Sequence, residues 1–380
     1  MRFRRRAAAW YRCAAVALLL AACSKRPPSG TPPVSEASDA GTRIRYYAGR
    51  IAEHPRVYAN YLGLAGAYLD EARRTHDPLW VAKARAATQI SMDIVPGLEG
   101  HKMEARIAAF RHRFAEALTS CRRAAELLST DMIDGALTAL FVEAHMGLGQ
   151  YDEARRLLPP DGAPLANFHT AAAMGHWLVS QGREAEAAAA FEAASRFAAA
   201  EEVKPLAAWA YVMAAGADLE VPQLDAARSH LRAAAALDPT NRELRIHEAE
   251  LMVAEGREAD AVARYEELCA EAPDPVLHHR IFMLARGRGD DEGARAHFGA
   301  AERLLTHVLE VGEVYTVEEL ARLYLDADVN ADRAFELATK NIEWKRDRSA
   351  SETLEAARRA AGRARDAMPI NDSRKRRPGF

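Results

Sequence analysis

The sequence predicts an all-α fold built as a solenoid of helical hairpins. Alanine is abundant in the middle of the chain, and only 7% of the 380 residues are aromatic. Alanine is the best helix former, so this composition favours packed helices. A short motif that joins two helices also recurs along the chain at a nearly constant interval. With 49% hydrophobic residues, one elongated repeat array can account for most of the chain.

The recurrent motif is a glycine, a polar pair and an alanine that opens a second helix. Copies begin at Gly149, Gly182 and Gly256, and variants begin at Arg113 and Gly289. The helix-opening alanines, called marker alanines below, are Ala84, Ala117, Ala154, Ala187, Ala227, Ala261, Ala294, Ala334 and Ala367. Most successive markers are 33 or 34 residues apart, and the longer intervals place extra residues in turns.

The residues that follow each marker alanine predict how the hairpins pack. A larger apolar residue comes four positions later and a small residue seven positions later, as in Phe191 with Ala194 and Phe298 with Ala301. Positions four apart lie on the same helix face. A hairpin of this length cannot bury its apolar stripe alone, but stacked hairpins bury it against each other. We therefore expect the marker alanines at close helix contacts.

Residues 50–367 resemble the tetratricopeptide-repeat family. The repeat length agrees, and Pro96, Pro239 and Pro273 each stand twelve residues after a marker alanine. The stretches 111–118 and 319–338 resemble helix junctions of bacterial members of undefined function. The tryptophan and Leu-Gly pair of an ideal first helix are nearly absent. The resemblance implies eight helical pairs, a C-terminal remnant and a right-handed superhelix with a concave groove lined by the first helices.

The N-terminus predicts export and lipidation. Five arginines precede an apolar run over residues 13–22. This run is too short for a membrane span, which needs about 20 residues. These features are typical of a secretory signal. The stretch 20–23 resembles the lipobox of bacterial lipoproteins, which implies cleavage before Cys23 and lipidation there. Ser24 then favours the outer membrane, with the protein facing the periplasm. A short uncleaved anchor is the alternative.

Composition divides the chain into four segments. Residues 1–22 are the expected signal peptide, and residues 23–41 are a proline- and serine-rich tether that cannot build a core. The repeat solenoid is expected over 42–368, with a second helix beginning after Gly362 in the remnant, and a basic disordered tail over 369–380. Without the signal peptide, the chain has 46 basic and 54 acidic residues. This balance predicts no nucleic-acid partner.

The sequence predicts no enzyme and no cofactor. It contains no phosphate-binding glycine loop, zinc-binding histidine pair or serine elbow. The acidic stretch 326–337 has oxygen side chains at every second position, as calcium loops do. However, Ala331 and Leu337 replace the expected glycine and glutamate, so a polar inter-helix turn is the alternative. Cys121 and Cys269 are expected to be buried small apolar residues.

The first helices supply a candidate protein-binding groove. Repeat phase places mixed, fairly apolar residues on their shared face, which suits a bound helix or extended segment. His169 and His176 are two helical turns, about 10.5 Å, apart, so a shared metal ion is not expected. The predicted groove residues are Lys102, Arg106, Phe110, Glu143, Met146, His169, His176, Glu250, His279 and Met283.

These inferences predict a lipid-anchored scaffold of the bacterial envelope that binds a protein segment in its concave groove. In general plan it resembles repeat lipoproteins that serve outer-membrane barrel assembly or secretin and pilus biogenesis. An adaptor that recruits cell-wall hydrolases is the second hypothesis. An enzyme is the third and least favoured hypothesis, because the repeats leave little chain for a catalytic domain.

Overall fold

The computed structural model describes residues 39–128, 134–221 and 223–367, and within these ranges all regular secondary structure is α-helical. The helices are α1 (Ala40–Glu53), α2 (Tyr58–Thr75), α3 (Pro78–Ile94), α4 (Leu98–Phe110), α5 (Phe114–Ala125), α6 (Gly135–Gly147), α7 (Tyr151–Arg156), α8 (Phe168–Ser180), α9 (Glu184–Ala200), α10 (Lys204–Glu220), α11 (Leu224–Leu237), α12 (Arg242–Ala254), α13 (Glu258–Glu271), α14 (Pro275–Gly287), α15 (Asp291–Glu310), α16 (Val317–Ala327), α17 (Ala331–Asn341) and α18 (Arg348–Ala367).

The helices pair into hairpins, as the sequence predicts. Helices α2 and α3 form hairpin 1, α4 and α5 form hairpin 2, and the pairing continues to α16 and α17, which form hairpin 8. Helix α1 packs on α2 before the first hairpin, and α18 packs on α16 and α17 after the last. Each hairpin also contacts its neighbours. The predicted all-α solenoid of helical hairpins is confirmed.

The marker alanines are buried where the helices pack together. Those from hairpin 1 to hairpin 8 are at most 1% exposed, apart from Ala294 at 7%. From Ala117 to Ala334 each is the fourth residue of its second helix. Ala84 lies one turn deeper in α3 because Asp77 caps that helix early, accepting a hydrogen bond from the Leu79 amide at 2.9 Å. A larger side chain at these positions would force the helices apart.

The C-terminal remnant differs from its prediction. The sequence predicts a new helix after Gly362, with Ala367 as its marker alanine. Instead, α18 runs without interruption from Arg348 to Ala367 and includes Gly362. A glycine inside a helix costs about 1 kcal/mol relative to alanine, which the packing of α18 on α16 and α17 offsets. The expectation of a turn at Gly362 was therefore wrong.

Tight turns close the hairpins with a common hydrogen-bond pattern. The Gln150 amide donates to the His145 carbonyl at 2.8 Å, and the Arg183 and Arg257 amides make the same contact five residues back. This is the closure of a Schellman motif, which needs one residue with positive φ. Gly149, at φ 72°, is that residue in hairpin 3. The glycine of the sequence motif therefore stops the first helix and turns the chain.

The first helices lie on the inner side of the curved array. Consecutive first helices contact each other in most hairpins, for example α4 with α6 and α6 with α8. The second helices pack mainly on their own hairpin partner and on the first helix that follows. Closer spacing of the first helices bends the array around them.

The bend is tight enough to bring the two halves of the chain into contact. We call the row of tight turns inside the hairpins the turn edge, and the row of loops between hairpins the loop edge. The Arg111 guanidinium on the turn edge of hairpin 2 lies 2.8 Å from the Glu313 carboxylate, in the loop before hairpin 8. The Arg346 amide, in the loop before α18, donates to the Gly147 carbonyl of hairpin 3 at 2.7 Å.

We call this set of contacts between the two halves of the chain the seam. It joins hairpins that are six apart. A third pair follows the same register, because His76 of hairpin 1 lies 3.5 Å from Asp274, which caps α14 of hairpin 7. The array is therefore a coil with six hairpins in each turn. The turn edge of its first turn rests on the loop edge of its second.

Several sequence predictions fall outside the described residues. They are the signal peptide at 1–22, the lipidation at Cys23, nearly all of the tether and the basic tail at 369–380. Within the described ranges, no helix has both the length and the apolarity that crossing a bilayer requires. Cys121 is fully buried, as predicted, whereas Cys269 is half-buried.

Candidate functional site

The inner face of the first helices is the candidate site, and every predicted groove residue belongs to one of these helices. Phe110, Glu143, Met146, His169, His176, Glu250 and Met283 are half-buried, whereas Lys102, Arg106 and His279 are buried. The half-buried residues keep part of their surface accessible. The buried ones serve contacts between hairpins.

Lys102 is 3% exposed and ties two hairpins together. Its ammonium lies 3.0 Å from the Glu99 carboxylate and 2.8 Å from the Asp134 carboxylate. Asp134 also caps α6, because it accepts a hydrogen bond from the Leu137 amide at 2.9 Å. The groove role predicted for Lys102 is therefore replaced by a structural one, since its charge is neutralised within the array.

Glu143 is the centre of a charged group on the inner face. Burial raises the pKa of its carboxyl to about 7, an effect that the nearby guanidinium groups of Arg73 and Arg106 partly oppose. Arg73 is also paired with Asp70, at 2.5 Å. The predicted residues Arg106 and Glu143 are thus brought together, with Arg73 as a member that the sequence analysis did not identify.

Phe110 lies where the inner face meets the seam. Its ring centroid is 5.2 Å from that of Tyr315, in the loop before hairpin 8. The Arg73 guanidinium stands 5.7 Å above the same ring, within the range of a cation–π contact. Phe110 therefore connects the charged group at Glu143 to the seam, and only part of its ring remains for a partner.

Two of the three predicted groove histidines, His169 and His176, pack against aromatic rings. His176 lies 5.0 Å from Phe191 and 5.9 Å from Trp209, measured between ring centroids. His169 contacts the edge of Phe168 at 5.4 Å. Burial lowers the pKa of His169 to about 4, so its imidazole is neutral at pH 7. These residues make this part of the inner face apolar in character.

The remaining predicted residues lie on α12 and α14. Glu250 pairs with Arg280 of the next hairpin, which also stands 5.8 Å above the Tyr265 ring. His279 is 1% exposed, and its Nε2 is 3.2 Å from the Asp326 carboxylate of hairpin 8. The repeat phase predicts His279 in the open groove, but in the structure it is buried.

The acidic stretch 326–337, which resembled a calcium loop, covers the end of α16, the turn that follows and the first seven residues of α17. Asp326 is directed toward His279, Asp328 ends α16 with φ 58°, and Asn330 precedes α17 with φ 49°. Positive φ is tolerated best by asparagine and aspartate among the non-glycine residues. Across the described residues, no three histidine, cysteine or carboxylate side chains are grouped as a metal site would require.

A buried ion pair that no sequence pattern predicts connects α16 to the loop before α18. Glu318 of α16 lies 2.7 Å from the Lys345 ammonium, and both side chains are 2% exposed. Arg322 approaches Glu318 at 2.7 Å, and Ser349 of α18 hydrogen bonds to it. Burial opposes the charge of Glu318, but Lys345 and Arg322 hold its pKa well below the usual value. The pair cannot be predicted from sequence spacing, because α16 and the loop before α18 come together only in the folded chain.

Comparison with known proteins yields weak structural similarities. No family model matches the chain. No curated protein matches it by sequence. The human IFIT1 dimer with PPP-AAAA is 14% identical, with a TM-score of 0.49 over 80% of this chain and 82% of that one. The TPR domain of P58(IPK) is 16% identical, with a TM-score of 0.24 over 86% and 95%.

A third structure, the Cut9–Hcn1 hetero-tetramer of the APC/C, is 14% identical, with a TM-score of 0.29 over 84% of this chain and 68% of that one. At identities and scores this low, the fold assignment rests on the hairpins of the chain itself.

Proposed function

We propose that this protein is a lipid-anchored scaffold of the bacterial envelope that binds a protein segment inside its coil. The observation that supports this proposal best is the set of half-buried apolar and charged residues that the first helices carry. Such a surface can hold a helix or an extended segment. The binding residues proposed are Phe110, Glu143, Met146, His169, His176, Glu250 and Met283.

Lys102, Arg106 and His279 support this surface from beneath. Their contacts with Asp134, Glu143 and Asp326 fix the first helices relative to one another. A rigid inner face lowers the entropic cost of binding.

The proposed anchor is Cys23, which follows a basic and apolar N-terminus. Replacing it by Cys23→Ser should release the protein from membranes and leave its helix content unchanged, because the substitution lies outside the hairpins. Membrane fractionation with circular dichroism measures both effects. A variant that stays in the membrane fraction would contradict lipid anchoring through Cys23.

Site-specific photo-crosslinking in envelope extracts tests the binding surface. A photoreactive residue at Met146 or Met283 should capture a protein partner, whereas one at the exposed Ala189 of the second helix α9 should not. Capture of barrel or secretin subunits supports the scaffold, and capture of murein hydrolases supports the alternative of a hydrolase adaptor. Equal capture from all three positions would contradict binding at the inner face.

A further inference from the structure

His76 brings an ionisable histidine to the seam. It ends α2 at the turn edge of hairpin 1, with φ 54°. Its Nε2 atom lies 3.5 Å from the Oδ1 atom of Asp274, in the loop before hairpin 7. Because these hairpins are six apart along the chain, the ion pair forms only when the seam is closed. Histidine is the side chain whose charge ordinarily changes between pH 5 and 8, so this contact can respond to pH.

Asp274 is held in place by contacts that do not involve the seam. Its side chain is 7% exposed, and it caps α14 by accepting hydrogen bonds from the Val276 and Leu277 amides at 2.9 and 3.2 Å. The Arg242 guanidinium of α12 lies 3.3 Å from its Oδ2 atom. Burial opposes the charge of Asp274, but His76 and Arg242 hold its pKa well below the usual value. The carboxylate is therefore a fixed acceptor for a protonated His76.

The other charged groups that face His76 are Arg242 and Glu243 of α12 and Glu319 of α16. Burial disfavours a charge on His76, but Asp274 and Glu319 together raise the pKa of the imidazole above its usual 6.5. Burial also raises the pKa of the Glu243 and Glu319 carboxyls, so Asp274 is the main partner at mildly acidic pH. The second turn thus offers an excess of carboxyl groups to His76, which attracts the protonated imidazole more strongly than the neutral one.

We propose that His76 makes closure of the seam pH-sensitive, so that hairpin 1 is held against hairpin 7 at pH 6 and released from it at pH 9. Closure raises the pKa of His76, so its contribution is complete below pH 6.5 and is lost as the pH rises through the raised value. Each unit of that rise corresponds to a tenfold change in the ratio of closed to open molecules. Opening would also uncover the Phe110 ring, which packs on Tyr315 at the seam.

Distances between two spin labels measure closure directly. Ala86 of α3 and Ala296 of α15 are exposed, so cysteines at these positions can carry labels on hairpins 1 and 7. The other cysteines are replaced by serine, except the buried Cys121. The labelled parent should show a single short distance at pH 6. A population at longer distance should grow as the pH rises to 9, by up to tenfold for each unit of the pKa shift.

His76→Asn removes the titrating group, and asparagine tolerates the positive φ of this position. This variant should show at pH 6 the open fraction that the parent reaches at pH 9, with little change between the two. The control is His54→Asn, because His54 is exposed at the end of α1 and should leave the parent profile intact. Circular dichroism should show the same helix content in all three proteins. A parent distance that is constant from pH 6 to 9, or a His76→Asn variant with the parent profile, would overturn the proposal.

Titration of the His76 imidazole by NMR tests the same coupling from the other side. Protonation and closure are linked, so weakening the seam elsewhere must lower the affinity of His76 for its proton. Arg111→Gln removes the salt bridge to Glu313 and should move the midpoint of the His76 titration toward 6.5. His76→Asn identifies the resonance. An unchanged midpoint would also overturn the proposal, because it would show that the ion pair with Asp274 forms independently of the seam.

Discussion

At the scale of single residues, the ion pair of Glu318 and Lys345 is buried, so each charge depends on the other for stability. Both side chains are 2% exposed and 2.7 Å apart. Removing one partner leaves the other charge buried, which costs about 3–5 kcal/mol. Glu318→Gln should therefore lower the free energy of unfolding by about that amount, as measured by urea denaturation.

An exposed pair on the neighbouring helix provides the control. Arg333 and Glu336 of α17 are 49 and 64% exposed in their side chains, and such pairs contribute at most about 1 kcal/mol. Glu336→Gln should leave the midpoint of the urea transition nearly unchanged. Equal effects of the two substitutions would mean that the Glu318 pair is hydrated.

Glu143 predicts a pH dependence of stability. Burial raises the pKa of its carboxyl in the folded state from 4.5 to about 7, so the folded protein favours the protonated form. The associated stabilisation is complete below pH 4.5 and is lost as the pH rises through 7. Glu143→Gln should remove this component, and denaturation curves between pH 5 and 8 would measure it. A Gln variant with the parent pH slope would contradict the assignment.

At the scale of elements, the marker alanines carry the packing, and the sequence alone predicts them. Ala187 is fully buried in α9, whereas Ala189 of the same helix is exposed. Ala187→Leu should destabilise the protein by roughly 1–3 kcal/mol through overpacking. Ala189→Leu should change stability by less than about 0.5 kcal/mol. Thermal melts of both variants check the helix phase, and identical melting would contradict it.

The sequence predicts elements well where a local signal repeats. The turn glycines and marker alanines locate every second helix from hairpin 2 to hairpin 8, because positive φ and close packing restrict those positions to few residue types. The error at Gly362 arose where the same residue type stands inside a helix without that backbone demand. Likewise, helix phase predicts His279 on the inner side, but its burial and its approach to Asp326 of hairpin 8 depend on tertiary packing.

At the scale of the whole molecule, the seam was beyond the reach of sequence patterns. Arg111 and Glu313 are 202 positions apart, and repeat length does not specify how many hairpins complete a turn. That number depends on small angles between neighbouring hairpins, which many packing contacts determine together. Periodicity predicts the helix faces on which the candidate groove residues lie, but it does not predict that Phe110 packs against Tyr315 at the seam.

Two glycine substitutions test the seam with matched backbone strain. Gly149 and Gly256 have φ of 72° and 82°, so alanine at either position costs about 1 kcal/mol in the left-handed region. Only at Gly149 would the added methyl group meet another part of the chain, 2.5 Å from the Arg346 carbonyl oxygen. Gly149→Ala should therefore destabilise the protein more than Gly256→Ala.

Hydrogen exchange of the Arg346 amide reports on the same contact. This amide donates to the Gly147 carbonyl at 2.7 Å, so it should exchange faster in Gly149→Ala and at the parent rate in Gly256→Ala. Equal exchange in both variants would show that the seam does not form in solution.

Linear repeat proteins gain stability only from nearest neighbours, so they fray from their ends and fold by propagation along the chain. The salt bridge between Arg111 and Glu313 joins residues 202 positions apart, so we expect this chain to fold and unfold differently. Contacts of such sequence separation slow folding. Once they form, the first and last hairpins protect each other, and unfolding becomes a single cooperative event in place of gradual unravelling.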